Sequence, residues 1–162
     1  MNVLKKAIFA PLVFVAVAAS VNVVAAPINH TIQLEAFVPT SDFYVLPADA
    51  SWIGVTQKFI YSPMTKELTS LNKPFNVVHT AGSITAKLLS TAVIGSGGDI
   101  IPLTVKFNNI ELDTVDKEVV TTAQAGAPSV ANLEIIPVKP SGGYVPGNYV
   151  GSVNVSFDAV II

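Results

Sequence analysis

The sequence predicts an all-β domain with the architecture of an immunoglobulin-like sandwich. Apolar residues recur at every second position in several windows, whereas no 3.6-residue period persists beyond two turns in the predicted domain. The candidate strands are short and follow one another at intervals of roughly 8–12 residues, separated by Gly-, Pro- and Asn-rich turns. Because no helices alternate with these strands, a Greek-key sandwich is favoured over a parallel sheet.

The composition indicates one folded domain and excludes several functions. The chain has 162 residues, of which 51% are hydrophobic and only 12% charged, so it has enough apolar surface to offset the entropy of folding. It has no Cys, which excludes disulfides, thiolate zinc sites and cysteine nucleophiles. All nine basic residues are Lys and the net charge is −2, so nucleic acid is not an expected partner.

Residues 1–25 are predicted to be a cleaved secretory signal. Lys5 and Lys6 precede an apolar stretch that ends in small residues. Cleavage fits after Ala25 or after Ala26, and the first is preferred because the second would place Pro27 next to the scissile bond. The alternative, an uncleaved membrane anchor, is disfavoured because the run is shorter than the roughly 20 apolar residues that span a bilayer. Residues 26–162 are then the exported domain.

Two long alternating strands are predicted at the ends of this domain. The first runs from Ile28 to Val38, with apolar residues at even positions except at His30. The second runs from Tyr149 to Ile161, with apolar residues or Gly at odd positions. Shorter strands are expected between them at Phe43–Leu46, Val55–Tyr61, Phe75–Thr80, Ser83–Leu89, Leu103–Phe107, Ile110–Leu112, Glu118–Thr122 and Asn132–Pro137. Residues 122–130 are expected to form a loop or one helical turn.

No group of residues in the sequence predicts catalysis or metal binding. His30 and His79 do not have the spacing of a metal-ligand pair. The acidic run from Glu111 to Glu118 lacks the order and the Gly of an EF-hand, and it is interpreted as a solvated turn rather than a calcium loop. The glycine-rich run at 95–98 lacks the Lys-Ser/Thr and the helix start of a phosphate-binding loop. The chain is therefore not expected to be an enzyme, and no cofactor is expected.

The N-terminal strand needs a partner, because a strand of about eleven residues at a free terminus exposes unpaired backbone and an apolar face. It could be the first strand of its own sandwich, which periodicity alone favours. It could also pair with a sheet edge of another molecule. The residues by themselves leave both possibilities open.

Five segments in the same order resemble the major pilins of alpha-type, class 5 fimbriae, the family of colonization factor antigen I. They are Ile32–Val38, Phe59–Pro63, Val78–Thr80, Ile101–Val105 and Gly147–Val153, which read IQLEAFV, FIYSP, VHT, IPLTV and GNYVGSV. The resemblance extends over essentially the whole predicted mature chain. The family assembles through the alternate chaperone–usher pathway.

This resemblance implies a sandwich that lacks its last strand and is completed by donor-strand insertion from a neighbouring subunit. Residues 26–40 would be the donor strand and residues 41–162 the sandwich. The residues expected to enter the neighbour's groove are Ile28, Ile32, Leu34, Ala36 and Val38. The residues expected to line the acceptor groove beside the C-terminal strand are Tyr149, Val153, Val155 and Phe157. His30 departs from the pattern, because it places a polar ring on the inserted face.

The function that the resemblance implies is that of a major structural subunit of an adhesive surface fimbria. The expected partners are identical subunits arranged head to tail, a periplasmic chaperone, an outer-membrane usher and a minor tip adhesin. The subunit would pass through the periplasm to the cell surface. The alternative is a secreted β-sandwich that binds a receptor or carbohydrate, including the fimbrial tip adhesin. Tip adhesins generally need a second, receptor-binding domain, for which the 137 residues of the predicted mature chain leave no room.

Overall fold

The computed structural model describes Gln33 and residues 43–161. This part of the chain forms eleven strands and one short α-helix. The strands are β1 (Phe43–Pro47), β2 (Tyr61–Ser62), β3 (Glu67–Leu68), β4 (Leu71–His79), β5 (Gly82–Leu88), β6 (Val93–Ser96), β7 (Asp99–Phe107), β8 (Ile110–Glu111), β9 (Lys117–Val120), β10 (Ser129–Pro137) and β11 (Val155–Ile161), and α1 is Thr122–Ala125. Ala50–Trp52 form a single 3-10 turn. No helix in this part of the chain is long and apolar enough to cross a bilayer.

Two antiparallel sheets pack face to face, as the alternation in the sequence predicts. The larger sheet has the strand order β1-β4-β10-β7-β6, with β8 also paired to β7. The smaller sheet has the order β11-β5-β9, and β2 and β3 form a separate hairpin. The arrangement confirms the prediction of an immunoglobulin-like sandwich.

Alternate residues of both sheets fill the core. On β7, Ile101, Leu103, Val105 and Phe107 are buried, while the residues between them are partly or fully exposed. Aromatic rings join the two layers, because the Phe107 ring contacts that of Phe157 on β11, with centroids 4.7 Å apart. Burying apolar area of this kind is the main favourable term in folding.

His79 is a buried polar residue whose hydrogen bond lies within the core. Its Nδ1 lies 2.9 Å from the carbonyl oxygen of Ser83, which can only accept, so Nδ1 carries the proton and donates. Its ring packs edge-on against Phe43, with centroids 5.5 Å apart. This environment indicates that His79 has a structural role.

The prediction of a strand at Val55–Tyr61 is wrong except for its last residue. The alternation persists, because Gln57 and Phe59 are half-buried between exposed neighbours. The Gln57 side-chain amide donates to the carbonyl of Val55 at 3.0 Å, so a local loop contact takes the place of a sheet ladder. The glycine-rich run at 95–98, in contrast, belongs to a β6–β7 hairpin that was not predicted, with Gly97 at a φ of 61°.

The C-terminal strand begins at Val155 rather than at Tyr149. Val150 forms an isolated antiparallel bridge with Gly95 of β6, with both N–H···O distances at 2.9 Å. Residues around Val150 therefore pair with the larger sheet, and the chain reaches the smaller sheet only after crossing over. The alternation does not reveal this crossing, because apolar residues or Gly continue at odd positions through both sheets.

Gly82 is expected to be irreplaceable in the β5–β11 pair. A Cβ atom at this position would overlap the backbone carbonyl of Val160 and would lie 3.2 Å from Cε1 of His79. We expect Gly82→Ala to destabilise the protein by about 1–3 kcal/mol, measured by chemical denaturation, because backbone atoms would have to shift. Gly98→Ala is the control, since a Cβ there meets no atom within 4 Å. Equal effects of the two substitutions would contradict the close approach of β11 to Gly82.

Candidate functional site: the free edge of β11

β11 is paired on one side only within the part of the chain that the structure describes. It forms an antiparallel ladder with β5, and no other described strand joins it. The N–H of Leu89 donates to the carbonyl of Asn154 at 3.0 Å, so the backbone groups of even-numbered residues in this region point toward β5. Those of Val155, Phe157, Ala159 and Ile161 consequently point away from β5. β11 thus offers a second hydrogen-bonding edge seven residues long.

The same four residues also present side chains toward the interior, where they are incompletely covered. Their register partners on β5 are Leu88, Ala86, Ile84 and Gly82, in that order. Ile84 and Ala86 are fully buried, whereas Val155 and Phe157 are half-buried, Ala159 is exposed and Ile161 is 74% exposed. Because cross-strand partners share a face, this contrast locates the uncovered surface on the free-edge side of β11. From here on, acceptor groove means the surface of these four residues, of which Val155 and Phe157 were predicted to line it.

Phenylalanine rings connect the acceptor groove to the centre of the core. Phe157 packs against Phe107, which is fully buried, and its ring centroid lies 6.3 Å from that of Phe75. Phe75 contacts Trp52 as well, edge to face at 6.0 Å. The half-buried Phe157 is therefore anchored in the core while part of it remains accessible from the free edge.

The edge of β9 at the opposite side of the smaller sheet is closed to a further strand. β9 has only four residues, and a register irregularity interrupts its pairing with β5. The side-chain amide of Asn108 donates to the carbonyl of Val119 at 2.7 Å and occupies an acceptor at this edge. Short, interrupted and capped edges resist strand addition. Among the described residues, the longer edge of β11 has none of these three features.

The four residues predicted for the acceptor groove fall into two groups. Val155 and Phe157 lie on β11 and face the interior. Val153 precedes the strand and packs, half-buried, against the core, while Tyr149 lies further upstream, and its hydroxyl donates to the carbonyl of Val145 at 2.9 Å. Ala159 and Ile161 were not predicted as groove residues, although the same alternation runs through them.

The five predicted donor residues lie outside the described part of the chain. These are Ile28, Ile32, Leu34, Ala36 and Val38, and His30 is likewise outside. Their role stays a prediction.

The acidic run forms ion pairs with lysines. Lys117 Nζ lies 2.8 Å from Asp113 Oδ2, and Lys87 Nζ lies 3.0 Å from Asp116 Oδ2. The hydrogen bond from Lys117, followed by one from the N–H of Val115, lowers the pKa of Asp113 below its usual value. Within the described residues, no three His, Asp or Glu side chains are grouped so that they could hold a metal ion.

The comparisons with known proteins agree with this architecture. The sequence model of the CS1-type fimbrial major subunit matches residues 28–158. The structure is similar to that of the CooA pilin subunit from enterotoxigenic Escherichia coli, with a TM-score of 0.59 and 20% sequence identity over 74% of this chain and 87% of that one. No match to this chain is found among curated proteins. The chain belongs to the family of CS1-type fimbrial major subunits.

Proposed function

We propose that this fimbrial major subunit polymerises by donor-strand complementation, in which residues 28–38 of one copy lie along the acceptor groove of the next. The observation that carries the proposal is the free edge of β11, where backbone that no described strand pairs with coincides with an incompletely covered apolar face. An extended segment with apolar residues at every second position is complementary to both features. The family match favours this structural role over a receptor-binding module or an enzyme.

The donor segment supplies both hydrogen bonds and apolar side chains. Each large aliphatic residue that becomes fully buried contributes about 1.5–3 kcal/mol, and backbone bonds to β11 set the pairing of the two strands. A shift of one residue would turn the apolar face of the donor outward, so the register is strongly specified. Such a contact dissociates slowly, as a stable filament requires.

Head-to-tail donation also explains why the product is a filament. The donor segment and the acceptor groove are different surfaces, so a growing polymer has an unused groove at one end and an unused donor segment at the other. Such a head-to-tail contact gives an open filament when the rotation between subunits does not close a ring. The surface fimbria is the expected product for a member of this family.

An acceptor groove that waits for its donor needs temporary protection, because exposed apolar edges aggregate. We expect a periplasmic chaperone to cover the groove until assembly. We expect an outer-membrane usher to replace this chaperone by the donor segment of the next subunit, and a minor tip adhesin to begin the filament. The exposed Ile161 and half-buried Phe157 are the contacts such a chaperone would cover.

Filling the groove within one molecule tests the proposal. A second copy of residues 26–40, attached to the C-terminus through a flexible linker, is expected to give a stable monomer that no longer self-associates. Size-exclusion chromatography and thermal denaturation compare it with the unfused chain, and a fusion with Leu34→Asp in the added segment alone is the control. An unfused chain that is monomeric and melts at the same temperature as the fusion would refute the missing strand.

A further inference from the structure

Three tyrosines line a pocket formed by residues that precede β11 in the sequence. It has a volume of about 330 Å³, and its lining also includes Leu68, Ile101 and the Val145–Gly147 segment. The rings of Tyr61 and Tyr144 meet edge to face with centroids 6.2 Å apart, and Tyr149 forms a further wall. Tyr61 is 47% exposed, so the pocket is accessible from solvent. None of its lining residues is charged, and we call it the tyrosine pocket.

The tyrosine pocket lies at the end of the sandwich where β11 begins. Phe157 packs on Phe107, at one end of β7. Gly151, six residues before Phe157, lies against Ile94, which pairs with Ile101 at the other end of β7. Residues 151–157 therefore follow β7 from the level of Ile101 to the level of Phe107. Ile101 is one of the residues that line the pocket. This end is the tyrosine pole.

The opposite pole contains Phe43, the first residue of β1. Phe43 begins β1 and pairs with His79, and Gly82, close to the His79 ring, pairs with Ile161 at the end of β11. The chain preceding residue 43 is therefore joined to the sandwich at this end, which we call the His79 pole. In a head-to-tail polymer two unlike poles meet, so the extension of one copy reaches the tyrosine pole of the next.

In the proposed polymer, residue 38, at the end of the donor segment, would lie near the tyrosine pole of the next copy, and the donor would run antiparallel to β11. Only residues 39–42 connect residue 38 to Phe43 of its own domain, a distance of at most about 18 Å for five extended steps. In the proposed polymer these residues, Pro39, Thr40, Ser41 and Asp42, would lie between the two subunits.

We propose that the tyrosine pocket binds residues 39–42 of a second copy, with Pro39 as the residue that enters it. The proposal rests on the proposed polymerisation. Pro39 is the apolar residue of the four, and it matches an uncharged pocket with aromatic walls. Proline loses little conformational freedom on binding, and aromatic-lined grooves are its usual recognition sites. The pocket would thus bind the connection between subunits, outside the groove itself.

Two fusions that differ only in length test this contact. One carries residues 28–38 after the C-terminal linker and the other residues 28–42. We expect the longer fusion to melt at least about 3 °C higher, a shift typical of one additional anchoring contact in a domain of this size. Tyr61→Ser, chosen because this ring is exposed enough for the domain to fold without it, should remove the difference. Pro39→Ser in the added segment should remove it as well.

Tyr44→Ser is the matched control, since Tyr44 lines a different cavity on β1 with Leu46 and Val130. It should leave the difference between the two fusions unchanged. Equal melting temperatures of the two fusions would overturn the pocket contact and leave donor-strand pairing intact. A difference that survives Tyr61→Ser and Pro39→Ser would also overturn it. If neither fusion is a stable monomer, the proposed polymerisation itself fails, and the pocket contact fails with it.

Discussion

Leu34→Asp is expected to abolish surface filaments while the subunit still folds and is exported. Leu34 is in the middle of the predicted donor segment, whereas the buried core of the described domain is formed by residues 75–135. A carboxylate at position 34 would enter the apolar groove of a neighbour. Burying an unpaired charge costs far more than the contact provides unless the group takes up a proton.

Gln33→Asp is the matched control for this variant. It introduces the same charge one residue away, on the face of an alternating strand that points out of the groove. Filaments should persist with Gln33→Asp and be lost with Leu34→Asp, as seen by electron microscopy of exporting cells. Immunoblots of the periplasm should show similar amounts of both subunits, bound to chaperone.

The opposite pattern would identify the N-terminal segment as an ordinary strand of its own sandwich. In that case Leu34→Asp would place the charge in the subunit's own core, and the chain would be degraded before assembly. A low periplasmic level of the Leu34→Asp subunit, with a normal level for Gln33→Asp, would therefore exclude the donor role of residues 28–38.

Most strands could be located from the sequence, because burial on one face requires apolar residues at alternate positions. β7 and β10 show this clearly, since every fully buried residue in them is apolar. The direction in which Val155 and Phe157 face could be predicted for the same reason. The helical turn α1, one of two outcomes expected for residues 122–130, begins directly after Thr121, whose N–H donates to the Gln124 side chain.

The alternation could not predict which strands pair with each other. Val150 and Val155 lie within one predicted strand, yet the first is bridged to Gly95 of β6 and the second pairs with Leu88 of β5. Which sheet a strand joins depends on contacts with residues distant in the sequence, and a period of two carries no information about them. The hairpin of β2 and β3 was not predicted for a different reason. Each of these strands has only two residues, which are too few to show a period.

The openness of the acceptor groove is a further property that periodicity does not reveal. The residues of β11 have the apolar character of a covered strand, and only the structure shows that Ile161 is exposed while its neighbour across the ladder, Gly82, is buried. A sequence encodes the side chains that a groove needs, whether the covering strand comes from the same molecule or from another. Here the resemblance to a family supplied the expectation, and the edge of β11 that no described strand pairs with is compatible with it.

Phe157→Ala is expected to produce the largest loss of stability among single substitutions in β11. Its ring joins the two sheets through Phe107 at 4.7 Å and Phe75 at 6.3 Å, and it also lines the acceptor groove. In the fusion whose groove is filled, the ring should be covered on all sides, so truncation should cost about 3–5 kcal/mol. Denaturant unfolding of the fusion measures this as a lower midpoint with an unchanged slope.

Val160→Ala provides the control, because Val160 lies on the same strand with its side chain on the solvent face. It should change the stability of the fusion by less than about 1 kcal/mol, since little apolar area is buried there. In the unfused chain, where part of Phe157 is accessible, its truncation should cost less than in the fusion. A loss for Phe157→Ala as small as that for Val160→Ala would show that the inward face of β11 has been assigned incorrectly. An equal loss in fused and unfused chains would instead show that the added strand does not cover this ring.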